Sequence, residues 1–260
     1  MKSILYFTLS CLFALNLNAQ GIMAIGEIEV KSQQAFQTAV TNWMTALKKG
    51  MDKPDQQSSF FRKQGSNTVY WAQWHESIEG MIAMQRKQEA SEEKIRQALM
   101  EQNMDPQIFE QFNNNTKFNE LSVWEYIPEL SSAHETWSPL SETEKNTFRY
   151  RRVQFFSVAM NANEAFEANR KKIKALDDQM GNTFHLAVFR SVFGKRNADY
   201  MVVVIDRSRI AYHENLGKRM KKRQKNDEWQ AVWNANQTVA VRKWGILEDE
   251  NWMKIADMDF

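Results

Sequence analysis

Four histidines, His75, His134, His185 and His213, supply the side chains that titrate near neutral pH, so each is a candidate general base or metal ligand. Their spacing excludes the helical zinc pattern. Four residues after His134-Glu135 stands Ser138, and four after His213-Glu214 stands Gly217, so neither has the i, i+4 partner that zinc needs. His185 lies in Phe184-His185-Leu186-Ala187-Val188-Phe189 and shares a strand face with Ala187 and Phe189. A polar ring on an otherwise apolar face makes it the first candidate base, with His75 the second. Arg62 and Arg190 each follow a phenylalanine near the end of a strand-like run, where a guanidinium meets either an anionic ligand or a carboxylate on the next strand. Trp74, Trp124 and Trp244 also fall on strand-like runs, and wide rings of this kind line apolar pockets as well as cores. Trp74, Trp124, Arg190 and Trp244 are therefore the candidate ligand contacts. The sequence has no G-x-S-x-G elbow, P-loop or G-x-G-x-x-G turn, which argues against hydrolase, nucleotide and dinucleotide chemistry. No metal and no cofactor is expected.

These side chains must be held by a regular pattern of elements. Ala24 to Val30 alternates apolar and polar residues, as a half-buried strand does. A helix follows, with Ser32 as N-cap and Phe36, Val40, Trp43 and Leu47 along one face. A second strand ends near Phe61-Arg62, a turn spans 64–67, and a third strand runs from Thr68 to Trp74. Helical segments enter at Ser77, at Glu92 and at Asp105-Pro106, and a last strand covers Leu121 to Ile127. The second half has the same order: strand Val153–Met160, helix from Asn161 or Asn163, and strand around Phe189-Arg190. A turn at 194–197, strand Asp199–Ile205, helix from Ser208 and strand Val239–Leu247 complete it.

Six pairs recur in order between the halves. They include Ala35-Phe36 with Ala165-Phe166, Phe61-Arg62 with Phe189-Arg190, Tyr70 with Tyr200, and Trp124 with Trp244. The chain thus reads as α+β, with two tandem ferredoxin-like β-α-β-β-α-β repeats. The expected divisions are a leader over 1–19, a first repeat over 20–130, a linker over 131–148 and a second repeat over 149–260.

Two such units in one chain, with Trp74-His75-Glu76-Ser77 turning from strand into helix, resemble the dimeric α/β-barrel superfamily. The turn is similar to the tryptophan-acidic-serine turn of its antibiotic-biosynthesis-monooxygenase branch, with His75 inserted. The second copy, Ile205-Asp206-Arg207-Ser208, lacks the tryptophan. The resemblance implies a pseudo-dimeric α/β barrel, two sheets face to face with helices outside, and one chain doing the work of a dimer. It also implies membership of a group that contains cofactor-free oxygenases and haem-degrading and haem-binding enzymes. The tryptophan and histidine that haem degraders place on one unit are split here between copies, Trp74 in the first and His213 in the second.

Met1-Lys2-Ser3, an apolar run from Ile4 to Leu17, and Asn18-Ala19-Gln20 form a secretory signal pattern. Cleavage after Ala19 and export to a periplasmic or extracellular space are expected. The run is shorter than the roughly 20 residues that span a bilayer, and no membrane span is expected after cleavage. The single cysteine, Cys11, leaves with the leader, so the mature chain relies on an apolar core without disulfides or a thiolate. Residues 20–148 carry 12 Lys and Arg against 18 Asp and Glu, and residues 149–260 carry 21 against 14. The densest basic run, Lys218 to Lys225, has no interleaved aromatics. It reads as a solvated helix face rather than a nucleic-acid surface. Three functions stay open: an exported protein that binds a small apolar or aromatic molecule between its sheets, a cofactor-free monooxygenase, and a structural protein with a filled barrel.

Overall fold

The computed structural model describes residues 21–50, 58–62, 66–101, 114–194, 198–244 and 253–254. The leader, the helix start at Asp105-Pro106 and the residues 64–65 and 195–197 of the two turns lie outside them, as do the side chains of Arg62, His134 and Trp244. Nine strands are described: β1 (Ile22–Val30), β2 (Ser58–Arg62), β3 (Thr68–His75), β4 (Thr116–Tyr126), β5 (Tyr150–Val158), β6 (His185–Phe193), β7 (Tyr200–Asp206), β8 (Ala240–Trp244) and β9 (Met253–Lys254). They form one antiparallel sheet in the order β8-β5-β7-β6-β4-β1-β3-β2-β9. The first half of the chain contributes β4-β1-β3-β2 and the second β8-β5-β7-β6, joined where β4 pairs with β6.

The sheet is curled. Nine strands at about 4.8 Å spacing would place β8 and β9 roughly 38 Å apart if flat. The nine steps of chain from Trp244 to Met253 reach at most about 32 Å. Trp124 on β4 and Phe155 on β5 are separated in the sheet by two strands, yet their rings lie 5.6 Å apart. The concave face holds one apolar cluster drawn from both halves, including Ile25, Tyr70, Ala72, Trp124, Val153, Phe155, Phe189 and Met201. Trp124 is fully buried at its centre, and its indole N–H donates to Ser122 Oγ at 2.8 Å.

Helices cover the convex face. The first half supplies α1 (Gln33–Gly50), α2 (Ile78–Ala90) and α3 (Glu92–Glu101). Two short helices follow, α4 (Ala133–Thr136) and α5 (Glu142–Asn146). The second half supplies α6 (Asn163–Gln179), α7 (Arg209–Arg223) and α8 (Asp227–Val239). Three serine caps read from the sequence are present: Ser32 Oγ accepts from Ala35 N, Ser77 Oγ from Gly80 N and Ser208 Oγ from Ala211 N. Phe166 of α6 is the anchor of the second half, 4.4 Å from the Tyr200 ring and 5.5 Å from Phe156. Burying each ring of this size contributes about 1.5–3 kcal/mol. No helix among the described residues is long and apolar enough to cross a membrane.

One sequence pairing is corrected by the register. Tyr70 packs in the concave cluster and Tyr200 on the helix side, so the two point to opposite faces. Ladder partners show why. Trp74 and Ile205 both pair with concave-facing residues, Met23 and Arg151, an offset of 131 rather than 130. Because strand side chains alternate, that single residue inverts the face. Trp244 is likewise opposite Gln154, three positions short of where the register would match Trp124.

Candidate active site at one end of the sheet

His185, Ile205 and Arg151 are register partners across β6, β7 and β5. Each lies at or next to a strand end, and each points to the concave side with Ala187, Val203 and Val153. They therefore form one row at a mouth of the curled sheet. The segment 131–148, read from the sequence as a linker, is folded against this mouth.

Two serines anchor it. Strand β4 pairs with β6 only from Phe189 onward, which leaves the start of β6 without a ladder partner on that side. Ser132 Oγ donates to Phe184 O at 2.5 Å and accepts from Leu186 N at 3.1 Å. Ser131 Oγ donates to Ile127 O at 2.7 Å and accepts from Val188 N at 2.9 Å. These hydroxyls stand where a neighbouring strand would be, and they satisfy backbone groups that would otherwise be buried without partners.

The same segment holds the histidine. Thr136, the last residue of α4, places Oγ1 2.9 Å from His185 Nδ1. That hydroxyl has one proton, and it donates to Ser132 O at 2.8 Å. With the hydroxyl proton assigned to that bond, Thr136 Oγ1 accepts from Nδ1–H of His185, the tautomer that leaves the Nε2 lone pair free. Trp137 and Phe148 set their rings edge-to-face against the imidazole at 5.5 and 4.8 Å, and against each other at 5.3 Å. His185, Trp137, Phe148 and Ile205 are all half-buried, so the cluster is apolar yet reachable from outside.

Arg151 forms the charged floor. It is buried, its Nη1 donates to Phe148 O and Tyr150 O at 2.9 and 3.0 Å, and its guanidinium lies 5.3 Å from the Trp137 ring centre. Burial, and then the neighbouring Arg149, lower its pKa to about 9, which leaves it a cation at pH 7. Burial also lowers the pKa of His185; Asp206 opposes that shift and Arg151 adds to it. Burial thus favours the neutral imidazole, and the positive charge of Arg151, two strands away in the same row, acts in the same direction. Such a pair can take a proton and stabilise the anion left behind.

The other residues singled out in the sequence sit elsewhere. Trp74 is concave-facing, in an aromatic group with Tyr126 at 5.8 Å and Phe189 at 6.3 Å. Trp124 is deeper in that interior. Arg190 lies on the opposite face, where it is bonded to Glu125 at 2.6 Å and near Glu167 at 3.5 Å. His75 ends β3, buried on the convex side. The structure therefore brings His185 together with Thr136, Trp137, Phe148 and Arg151, none of which stands in a recognisable sequence motif. The available signals were an Arg alternating with Val153 and Phe155, and two large aromatic residues in a supposed linker.

No family profile and no curated protein matches this chain. Solved structures do match. An anthrone oxidase-like protein superposes with a TM-score of 0.54 at 13% identity, covering 93% of this chain and 95% of its own. A protein from Fusobacterium nucleatum subsp. nucleatum, provisionally named a monooxygenase, gives 0.52 at 11% identity over 94% and 99%. A protein provisionally named a chlorite dismutase gives 0.50 at 12% identity over 91% and 96%. At these identities the likeness establishes the fold alone. The chain is an α+β protein that shares its fold with these neighbours, which are ferredoxin-like α/β barrels.

Proposed function

We propose that this protein is a cofactor-free monooxygenase-like enzyme acting on an electron-rich aromatic molecule seated at the His185 end of the curled sheet. The observation that carries the proposal is the Thr136–His185 hydrogen bond, which in the Nδ1–H tautomer leaves Nε2 as the base, in the same row as the buried Arg151 cation. The base removes a proton from an acidic C–H or O–H of the substrate. Arg151 stabilises the resulting delocalised oxyanion, and Trp137 and Phe148 provide aromatic contact. The carbanion form then reacts with dioxygen. For a substrate with an anthrone-type methylene, CH2 and O2 become C=O and H2O, which closes the balance with no other oxidant. The names borne by the structural neighbours, an anthrone oxidase-like protein and monooxygenases, agree with this chemistry. The binding of a small aromatic molecule, without turnover, is the first half of the same proposal, seated at the mouth rather than in the packed middle.

The repeated strand order in the two halves and the curl support a fused pseudo-dimeric barrel that functions as a monomer. Export after cleavage at Ala19 belongs to the proposal on the strength of the leader pattern. The test is anaerobic titration of the mature protein with anthrone, followed by admission of air. Quenching of tryptophan fluorescence, then uptake of one O2 per quinone formed, is expected. Neither quenching nor uptake above the protein-free rate, across anthrones and hydroquinones, would refute the reading.

A further inference from the structure

A second cluster lies on the convex side, between α6, α7 and the residues that enter β6. Arg170 of α6 and Arg219 of α7 are 7% and 6% exposed. Arg223, one turn beyond Arg219, has a carboxylate: its Nε and Nη2 donate to Asp177 at 2.8 and 2.6 Å, and Asn182 donates to the same group at 2.9 Å. Asp177 is thereby fully engaged. The Nε atoms of Arg170 and Arg219 are buried and have no hydrogen-bond partner. The Arg219 guanidinium lies 4.6 Å from the Phe184 ring centre and 6.0 Å from that of Tyr212, while Arg223 lies 5.6 Å from Phe184 on its own account. Ring faces offset part of the cost of burying a cation but supply no acceptor for an N–H.

The buried Arg170 and Arg219 and the half-buried Arg223 outnumber the carboxylates that act on them, Asp177 and, for Arg219, Asp206, and burial renders that positive excess costly. The electrostatics agree: burial and the repulsion of Arg223 lower Arg170 to about 10, and the same two causes lower Arg219. Planar guanidiniums with unused donors match the acceptor geometry of a tetrahedral oxyanion.

We propose that Arg170 and Arg219, flanking the Arg223–Asp177 pair, form a binding site for a phosphate-type oxyanion, either free phosphate or a phosphoryl group carried on a larger ligand. This site stands apart from the His185 chemistry, which is on the concave face.

Isothermal titration of the full mature chain with inorganic phosphate, and separately with phenyl phosphate, at constant ionic strength set by chloride, tests it. Saturable binding of inorganic phosphate is expected, weakened at least tenfold in R219M and in R170M. Tighter binding of phenyl phosphate than of phosphate would identify a ligand-borne group, and equal or weaker binding would identify the free ion; both support the site. Saturable heats that persist unchanged in both variants would overturn it, as would the absence of phosphate binding to the parent protein. Should a methionine variant fail to fold, R219K keeps the charge but removes the fork. It is expected to lose affinity, and unchanged affinity in R219K would equally overturn the proposal.

Discussion

Replacing Asp177 by Asn tests how much of the second half rests on one carboxylate. Asp177 is 1% exposed and sits in the last turn of α6, where the helix dipole disfavours a negative charge. It stays there because Arg223 donates two hydrogen bonds and Asn182 a third. An amide removes the charge and turns one acceptor into a donor that faces the N–H groups of Arg223 or Asn182. Arg223, with its side chain 12% exposed, then lies buried beside Arg170 and Arg219 with no counter-ion. Breaking one partner of a buried pair costs about 3–5 kcal/mol, which in a chain of this length lowers Tm by roughly 6–20 °C at about 2–4 °C per kcal/mol. Urea unfolding of the parent, Asp177→Asn, Arg223→Met and the double variant gives the number and the coupling. The double variant is expected to recover much of the loss, because the orphaned cation is gone. A loss below about 1 kcal/mol in Asp177→Asn, the range of an exposed ion pair, would refute the reasoning.

Ser132→Ala leaves Leu186 N–H without its bond and Phe184 C=O with only the 3.5 Å contact from Thr136 Oγ1, and should cost about 1–3 kcal/mol in urea unfolding while loosening the Thr136 contact to His185. Gly194→Ala places a methyl group 2.9 Å from the Ser122 Cα on a backbone with φ of +137°; a loss of about 1–3 kcal/mol or more is expected from the strain, read as a drop in Tm. The lowered pKa of His185 means that the unfolded chain takes up this proton at a higher pH than the native protein does. Its contribution is therefore present above pH about 6.5 and is lost as the pH falls through the window below that value. Urea midpoints at pH 7.5 and 5.5 should differ more in the parent than in His185→Gln, and equal differences would contradict the assignment.

The fold was legible where side-chain periodicity speaks. The alternation in β1, the apolar run of β7 and the serine caps of α1, α2 and α7 each carry a local physical signal. Strand pairing was less so. Tyr70 and Tyr200 match in the sequence but face opposite ways, since register depends on hydrogen bonds formed across the sheet. The site was half legible. His185 announces itself as a polar ring among Ala187 and Phe189. Its partners come from α4, from the residues after α5 and from β5, and only the folded chain brings Thr136, Trp137 and Phe148 to it. Arg190 illustrates the converse, because a guanidinium on a strand looks alike from sequence whether it meets a ligand or, as here, Glu125. Helix α8 was passed over, although Asn226 caps it by accepting from Trp229 N at 2.8 Å and Trp229 and Val232 bury its inner face.

The most direct test of the central claim is the initial rate of O2 uptake with anthrone at pH 7, in chelator-treated buffer, for the parent, His185→Gln and Trp74→Phe. Loss of a general base costs about 10²–10⁴-fold, so His185→Gln should fall by at least 100-fold while Trp74→Phe, whose ring packs on Tyr126 and Phe189, stays within a few-fold of the parent. A His185→Gln protein that folds normally and consumes O2 at the parent rate would contradict the account.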